Sequence, residues 1–359
     1  MPMPFTKAPG WHQKYLLKKI SCFSHSIFTM ELLLPFQVTP SPVKISYTDK
    51  ILFIGSCFTE EIGQQMHNLK FGVLQNPNGI LYDPVSISSA LVSYIDNKKF
   101  TEDDLFMLEE LWHSWQHHSF FSGMNKETVL RNINHSQSEA HGFLKTSSWL
   151  IITAGTSYNY RLKKSGEPVA NCHKAPQGYF EKELLTVEEI VYNLSTAISK
   201  LRFFNPQLKI IFTVSPVRHI RDGVIENSRS KARLIEAIHT IKEGAQNVFY
   251  FPAYELLIDV LRDYRFYKKD LVHPSDIAIE YIFESFSNAF IDEPGKKLLE
   301  EIRMVIAAMN HKPFQKESAA HKKFMKAQLQ KIEQIKANHP LINFSKEEKY
   351  FSEFKVPGH

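Results

Sequence analysis

The chain has 359 residues, 43% apolar and 23% charged, an ordinary globular composition for one large domain or two average ones. No apolar run reaches the roughly 18 residues of a transmembrane helix. Three scattered cysteines (Cys22, Cys57 and Cys172) contain no CxxC pair, which argues against a zinc knuckle or disulfide framework and for a reducing compartment; with no clear signal peptide, the cytoplasm is the default expectation. The net charge of +5 hides an asymmetry. Residues 1–29 carry four lysines and no acid, residues 296–359 carry 13 basic and 7 acidic side chains, and the body, 30–295, has 26 basic against 31 acidic ones. A basic tail on an acidic body lacks the clustered positive face that phosphates require, so no nucleic-acid partner is expected.

The first 29 residues show no clear periodicity and are expected to be disordered or spurious. Two readings stand side by side: a targeting segment, or an extension ahead of a true start at Met30. The apolar stretch Ile20–Phe28 is interrupted by Ser21, Ser24, His25 and Ser26, and no small-residue cleavage pattern follows it, which weakens the signal-peptide reading.

From Lys50 the pattern becomes α/β. Ile51–Ile54 reads as a buried strand running into the turn Gly55-Ser56-Cys57. Thr59–Leu69 has Ile62, Met66 and Leu69 at helical spacing behind an acid-rich start. Phe71–Leu74 reads as a second strand, closed by the turn Gln75–Gly79, and Val85–Ile95 as a second helix. Residues 101–148 break this rhythm with an aromatic, histidine-rich stretch and are read as an insertion over the sheet edge or mouth. Trp149–Thr153, Leu208–Val214 and Asn247–Phe251 are further strands. Thr186-Val187-Glu188-Glu189 is a capping box that opens a helix to about Leu201, and Ile277–Phe290 is a strongly apolar helix. Residues 296–359 read as a helical appendage. Alternating strands and helices imply a mostly parallel sheet covered on both faces, with ligands at the carboxyl ends of the strands. Those ends are marked by Ser56, Asn76–Gly79, Gly155-Thr156 and Ser215-Pro216.

Ser56 is the sharpest local feature. A serine between a buried strand and a helix start sits in a tight turn, with its N–H at the positive end of the helix. Taken alone, the pattern more often marks a serine in the N-cap region of a helix. Near the other end, Asp270 precedes His273 by three residues, just before the apolar helix. At that spacing the carboxylate can hold Nδ1 of the imidazole while Nε2 turns to a serine. Cys57, next to Ser56, competes for the nucleophile's role, but adjacent residues in a tight turn point apart. Arg218 and His219, near a strand end, are expected to face the cleft as anion or hydroxyl contacts. His113 and His117, spaced i, i+4 beside His118, lack the glutamate of an HExxH motif, so no metal and no cofactor is expected. Trp112, Trp115 and Phe120 suit packing or a sugar platform, and His173-Lys174 a surface turn.

Gly55-Ser56-Cys57-Phe58-Thr59 resembles the signature of the GSCFA family, a branch of the SGNH/GDSL-type hydrolases. The resemblance extends through 76–84, Asn171–Lys174, Ser215–His219, Asp263–Tyr267 and Asp270–Ser275, and covers about 40–295. It implies a flavodoxin-like three-layer α/β/α sandwich over 30–295, SGNH hydrolase-like. Ser56 would be the nucleophile, His273 the base and Asp270 its partner. The wider superfamily adds a glycine and an asparagine as oxyanion donors. Gly79, with Asn76 or Asn78 beside it, is the candidate for the first. The block Ala154-Gly155-Thr156-Ser157 lacks the expected asparagine, and Thr156, by side chain or backbone, is the candidate to fill in. The implied activity is hydrolysis of an O-acyl ester, with an acetylated glycan or another small-molecule ester as substrate. A non-catalytic glycan- or acyl-ligand-binding protein and an O-acyltransferase using the same triad are the alternatives.

Overall fold

The computed structural model describes residues 34–315 and 317–352; the expectations for residues 1–29 and Cys22 lie outside the described residues. Five parallel strands form the central sheet: β1 (Lys50–Gly55), β2 (Gly72–Gln75), β5 (Trp149–Ala154), β9 (Lys209–Val214) and β10 (Val248–Tyr250), in the order β10-β9-β5-β1-β2. Counted in chain order, that is the flavodoxin-like order 2-1-3-4-5. The strand order reverses between β1 and β5, and the crevice at that switch point is where such sheets bind ligands.

Period-two alternation explains the layers. Ile51 and Phe53 of β1 join one core, while Leu52 and Ile54 join the other. Because both faces are covered, β1 reads as a continuous apolar run. The first core takes in α1 (Cys57–Asn68). The second takes α2 (Pro84–Ile95), α3 (Lys126–Thr146), α4 (Val187–Phe204) and α5 (Val224–Gly244). The side of α1 continues with α6 (Ala253–Glu255, extended by π turns to Leu261), α7 (Asp276–Phe290), α8 (Glu293–Asn310) and α9 (Ala319–Asn338), with Phe351 of α10 (Ser345–Ser352) in the same core. The C-terminal helices therefore share one core with the face of the sheet. The caps follow the sequence. Asp83 accepts from the N–H groups of Val85 and Ser86, Thr186 and Glu189 close a capping box, and Ser275 caps α7.

Two regions depart from the sequence reading. The stretch 101–148 is not all insertion. Only its first half forms an added hairpin, β3 (Phe106–Leu108) with β4 (Leu111–His113), whereas α3 belongs to the helical layer through Ala140 and Leu144. A second sheet, β7-β6-β8 (Pro168–Val169, Tyr158–Leu162 and Phe180–Leu184), was not anticipated and rises from the end of β5 beside the switch point.

Candidate active site

Ser56 sits at the carboxyl end of β1, at the switch point, as the N-cap residue of α1. Gly55 creates the bend with φ of 140°, a region closed to side-chain-bearing residues. The turn is held from both neighbouring strands. The Gly55 N–H donates to Asn76 Oδ1 at 2.9 Å, the Ser56 N–H to Thr153 O at 3.0 Å, and the Leu81 N–H to Gly55 O at 2.9 Å. A Cβ at Gly55 would lie 2.2 Å from the Thr153 carbonyl oxygen. Gly55→Ala is therefore expected to destabilise the fold by about 3 kcal/mol or more, through forbidden φ and backbone collision together. Guanidinium unfolding measures it, and a loss under about 1 kcal/mol would contradict this account of the turn.

The Ser56 hydroxyl does not cap its helix. Its Oγ is buried and has no hydrogen-bond partner among the described residues. A buried hydroxyl without a partner costs free energy, so the arrangement is paid for by something other than stability. The reading of Ser56 as a helix-capping serine finds no support in this geometry.

Asp270 and His273 do meet. Asp270 Oδ2 lies 2.7 Å from His273 Nδ1, and Oδ1 accepts from the N–H groups of Val272 at 2.9 Å and His273 at 3.0 Å. Leu271, with a left-handed φ of 58°, makes the tight turn between them. The His273 N–H, the Val272 N–H and the imidazole hold the Asp270 carboxyl well below the usual carboxylate range. The loop is tied to its surroundings by Lys268, which reaches Glu61 of α1 at 3.2 Å, and by the Arg218 N–H, which donates to Val272 O at 3.3 Å. No hydrogen bond joins His273 to Ser56 in this structure: the Asp–His couple is formed and its link to the serine is open. Such bonds commonly tighten only when substrate arrives.

Residues 50–286 match the model described as GSCFA family, and residues 302–354 match the one described as GSCFA domain protein, C-terminal domain. The chain belongs to the GSCFA family. No curated protein matches it. Among solved structures, an acetyl xylan esterase from the rumen bacterium Butyrivibrio proteoclasticus is similar over 73% of this chain and 66% of its own, at 13% identity and a TM-score of 0.31. This GSCFA protein thus spans just under two thirds of that enzyme's length.

The expected oxyanion residues of the GSCFA chain are committed elsewhere. The Gly79 N–H donates to Asn76 O at 2.7 Å, and φ of 75° with His118 Cβ 2.3 Å from a built Cβ explains the glycine by backbone shape. The Asn76 amide spans Gly55 N and Glu60, and the Asn78 side chain bonds Tyr94 Oη and Gln116 O. The Thr156 N–H, like that of Gly155, donates to Tyr82 O, and its hydroxyl bonds Ser230 and the Tyr158 N–H. Gly79, Asn76 and Thr156 therefore build the walls of the turn, with all three backbone N–H groups donating within the fold. Arg218 also differs from expectation. Its guanidinium lies over Tyr267 at 4.3 Å and donates to Leu271 O at 3.3 Å, so it braces the His273 loop instead of facing an anion.

His113 and His117 take separate partners. His113 bonds Ser122 at 2.7 Å and lies 3.2 Å from His173, while His117 is buried against Ser114 at 2.9 Å. Burial pushes the imidazole of His117 down to about 3 and that of His173 down to about 4. Trp115 stacks on Phe106 at 3.5 Å, inside the packing of the insertion.

Two features complete the site, the first of them the cleft that His219 was expected to face. A cleft of about 840 Å³ opens beside the switch point, walled by Tyr82, Thr156, Tyr158, Tyr160, Lys182 and His219. Lys231 of α5 is 1% exposed and donates to Gly155 O at 2.6 Å and Ser215 O at 2.7 Å, tying together the loops that follow β5 and β9. Its position one turn before the apolar stripe Leu234, Ile238, Ile241 was the one sequence signal available.

Proposed function

We propose that this protein is a serine esterase of SGNH type that cleaves an O-acyl ester, with Ser56 as nucleophile, His273 as base and Asp270 as its partner. The observation that carries the reading is the buried Ser56 hydroxyl, unbonded at the N-terminus of α1 and at the switch point, with a formed Asp–His pair on a loop tied to α1. Ser56 attacks the ester carbonyl and its proton passes to His273 Nε2. The Asp270 carboxylate fixes the Nδ1–H tautomer and stabilises the imidazolium. His273 then protonates the leaving alcohol and activates the water that releases the acyl group. The tyrosines of the adjacent cleft suit a sugar alcohol, so an acetylated carbohydrate is the substrate we favour.

Fluorophosphonate labelling with peptide mapping, on the wild type and His273→Ala, tests this. We expect one adduct, on Ser56, formed at least about 100-fold more slowly in the variant. A folded wild type that takes no adduct would instead favour a binding protein on the same fold. Products formed from an acetyl ester with and without a sugar acceptor separate hydrolysis from acyl transfer.

A further inference from the structure

Resting on the esterase reading, we propose that His219, with its proton on Nε2, donates to the oxyanion that forms when Ser56 attacks the ester carbonyl. Nε2 of His219 is buried and has no hydrogen-bond partner among the described residues. A Cβ built on Gly155 would lie 3.1 Å from this nitrogen, 3.2 Å from Tyr82 Cδ1 and 3.3 Å from Ser56 Cβ. His219 Nε2 and the Ser56 side chain therefore both close on the bare face of Gly155, where a side chain would crowd them. The two residues that meet at Gly155 each carry a buried polar atom without a partner, the Ser56 hydroxyl and the His219 ring nitrogen.

The surrounding backbone makes the assignment selective. The N–H groups of Ser56, Gly79, Gly155 and Thr156 all donate to carbonyl oxygens within the fold, and the Asn76 and Asn78 amides each give one N–H to a protein acceptor. The block Ala154-Gly155-Thr156-Ser157 has no asparagine, and the His219 imidazole lies against its Gly155. His219 is fixed at its backbone, whose N–H donates to Asn227 Oδ1 at 2.8 Å, and by its ring, edge-on to Tyr82 at 5.3 Å.

Charge decides between donor and base. Burial, then the nearby Lys231 and His273 charges, push the His219 imidazole down to about 3. An imidazole held neutral is a poor proton acceptor at neutral pH and a suitable electrophilic donor. In the step, the Ser56 oxygen bonds to the carbonyl carbon and the C=O pair moves onto oxygen. The serine proton goes to His273, while His219 keeps its own proton and shares it with the oxyanion. Collapse expels the alcohol, which takes its proton from His273.

The test uses p-nitrophenyl acetate with the wild type, His219→Ala and His219→Gln. Removing one oxyanion donor costs on the order of 10²–10³ in kcat. We expect that loss in His219→Ala, with KM within about threefold and the acid limb of the pH profile unmoved. His219→Gln, which keeps an N–H donor, should recover at least about tenfold of it. An alanine variant within threefold of the wild type would overturn the role, as would loss of the acid limb, which would make His219 the base. If the alanine variant does not fold, ¹⁵N NMR of the wild type decides: a neutral Nε2–H tautomer from pH 5 to 8 is expected, and an Nδ1–H tautomer contradicts it. A wild type that neither hydrolyses the ester nor takes the fluorophosphonate fails as an esterase, and this role falls with it. An active wild type with an unaffected variant removes only the role of His219.

Discussion

Ser56→Ala is expected to lower kcat for an acetyl ester on the order of 10⁴-fold or more while leaving the fold as stable as before, or more stable by about 1 kcal/mol. The two halves of this prediction come from one observation. The Ser56 hydroxyl is buried without a hydrogen bond, so its removal breaks no hydrogen bond and relieves the burial of a polar group. A structural serine gives the opposite result: cutting a capping hydroxyl typically costs about 1 kcal/mol of stability and little activity. Measuring esterase rates and guanidinium midpoints on the same preparation separates the two. An Ala variant that is destabilised yet active would sink the nucleophile assignment. Cys57→Ala is the control. The Cys57 thiol is half-buried, and that burial, with Glu60 beside it, pushes its pKa up, which keeps it protonated and poorly nucleophilic. It also packs against the core that includes α1, so its loss should cost about 1 kcal/mol of stability and leave kcat within about threefold.

What was legible in the sequence is what burial on two faces writes into it. β1, β5 and β9 are continuous apolar runs because helices cover both sides of the sheet. The caps at Asp83, Thr186 and Ser275 follow local side-chain chemistry, which needs no tertiary context. The pairing of Asp270 with His273 was readable for the same reason, since three residues in a turn bring carboxylate and imidazole together. The second sheet was not readable. Its strand β8 is Phe-Glu-Lys-Glu-Leu, with three exposed charges in the middle, and β6 mixes two tyrosines with an arginine, so neither shows the apolar signature of the central strands. Helix α3 escaped because Gln137 occupies a buried position in its apolar stripe. The donor assignments at Gly79 and Thr156 differ for another reason. Which N–H groups remain free depends on how loops after β1, β2 and β5 bond one another, and residues far apart in the chain settle that. Tyr82 O takes two of those N–H groups, which spacing within one segment does not reveal.

Lys231→Met should flatten the rise of stability between pH 7 and 9. In the wild type, burial pushes the Lys231 ammonium down from 10.5 to about 7. Below about pH 7 the group is protonated whether the chain is folded or not, and burying the charge is a constant cost. Above pH 7 the folded protein releases that proton while the unfolded chain keeps it. The unfolded state then binds more protons, so stability rises with pH by up to about 1.4 kcal/mol per unit. Over the two units from pH 7 to 9 this contributes about 2–3 kcal/mol. The buried phenols of Tyr94 and Tyr250 act with the opposite sign as pH passes about 10, and the Cys57 and Cys172 thiols, also raised by burial, do so from about pH 8.5, where free thiols ionise. Methionine removes the titration yet leaves the Gly155 and Ser215 carbonyls without their donor. At pH 7 the relief of the buried charge and the cost of two unpaired carbonyls, about 1–3 kcal/mol each, oppose one another. The slope, not the starting value, therefore identifies the lysine. Guanidinium unfolding of both proteins at pH 7, 8 and 9 measures it, and equal slopes would contradict a lysine titrating near neutrality. The same substitution tests why so costly a group is kept. Lys231 fixes the loop that places Gly155 against Ser56, so the variant should lose about tenfold in kcat even where its stability equals that of the wild type.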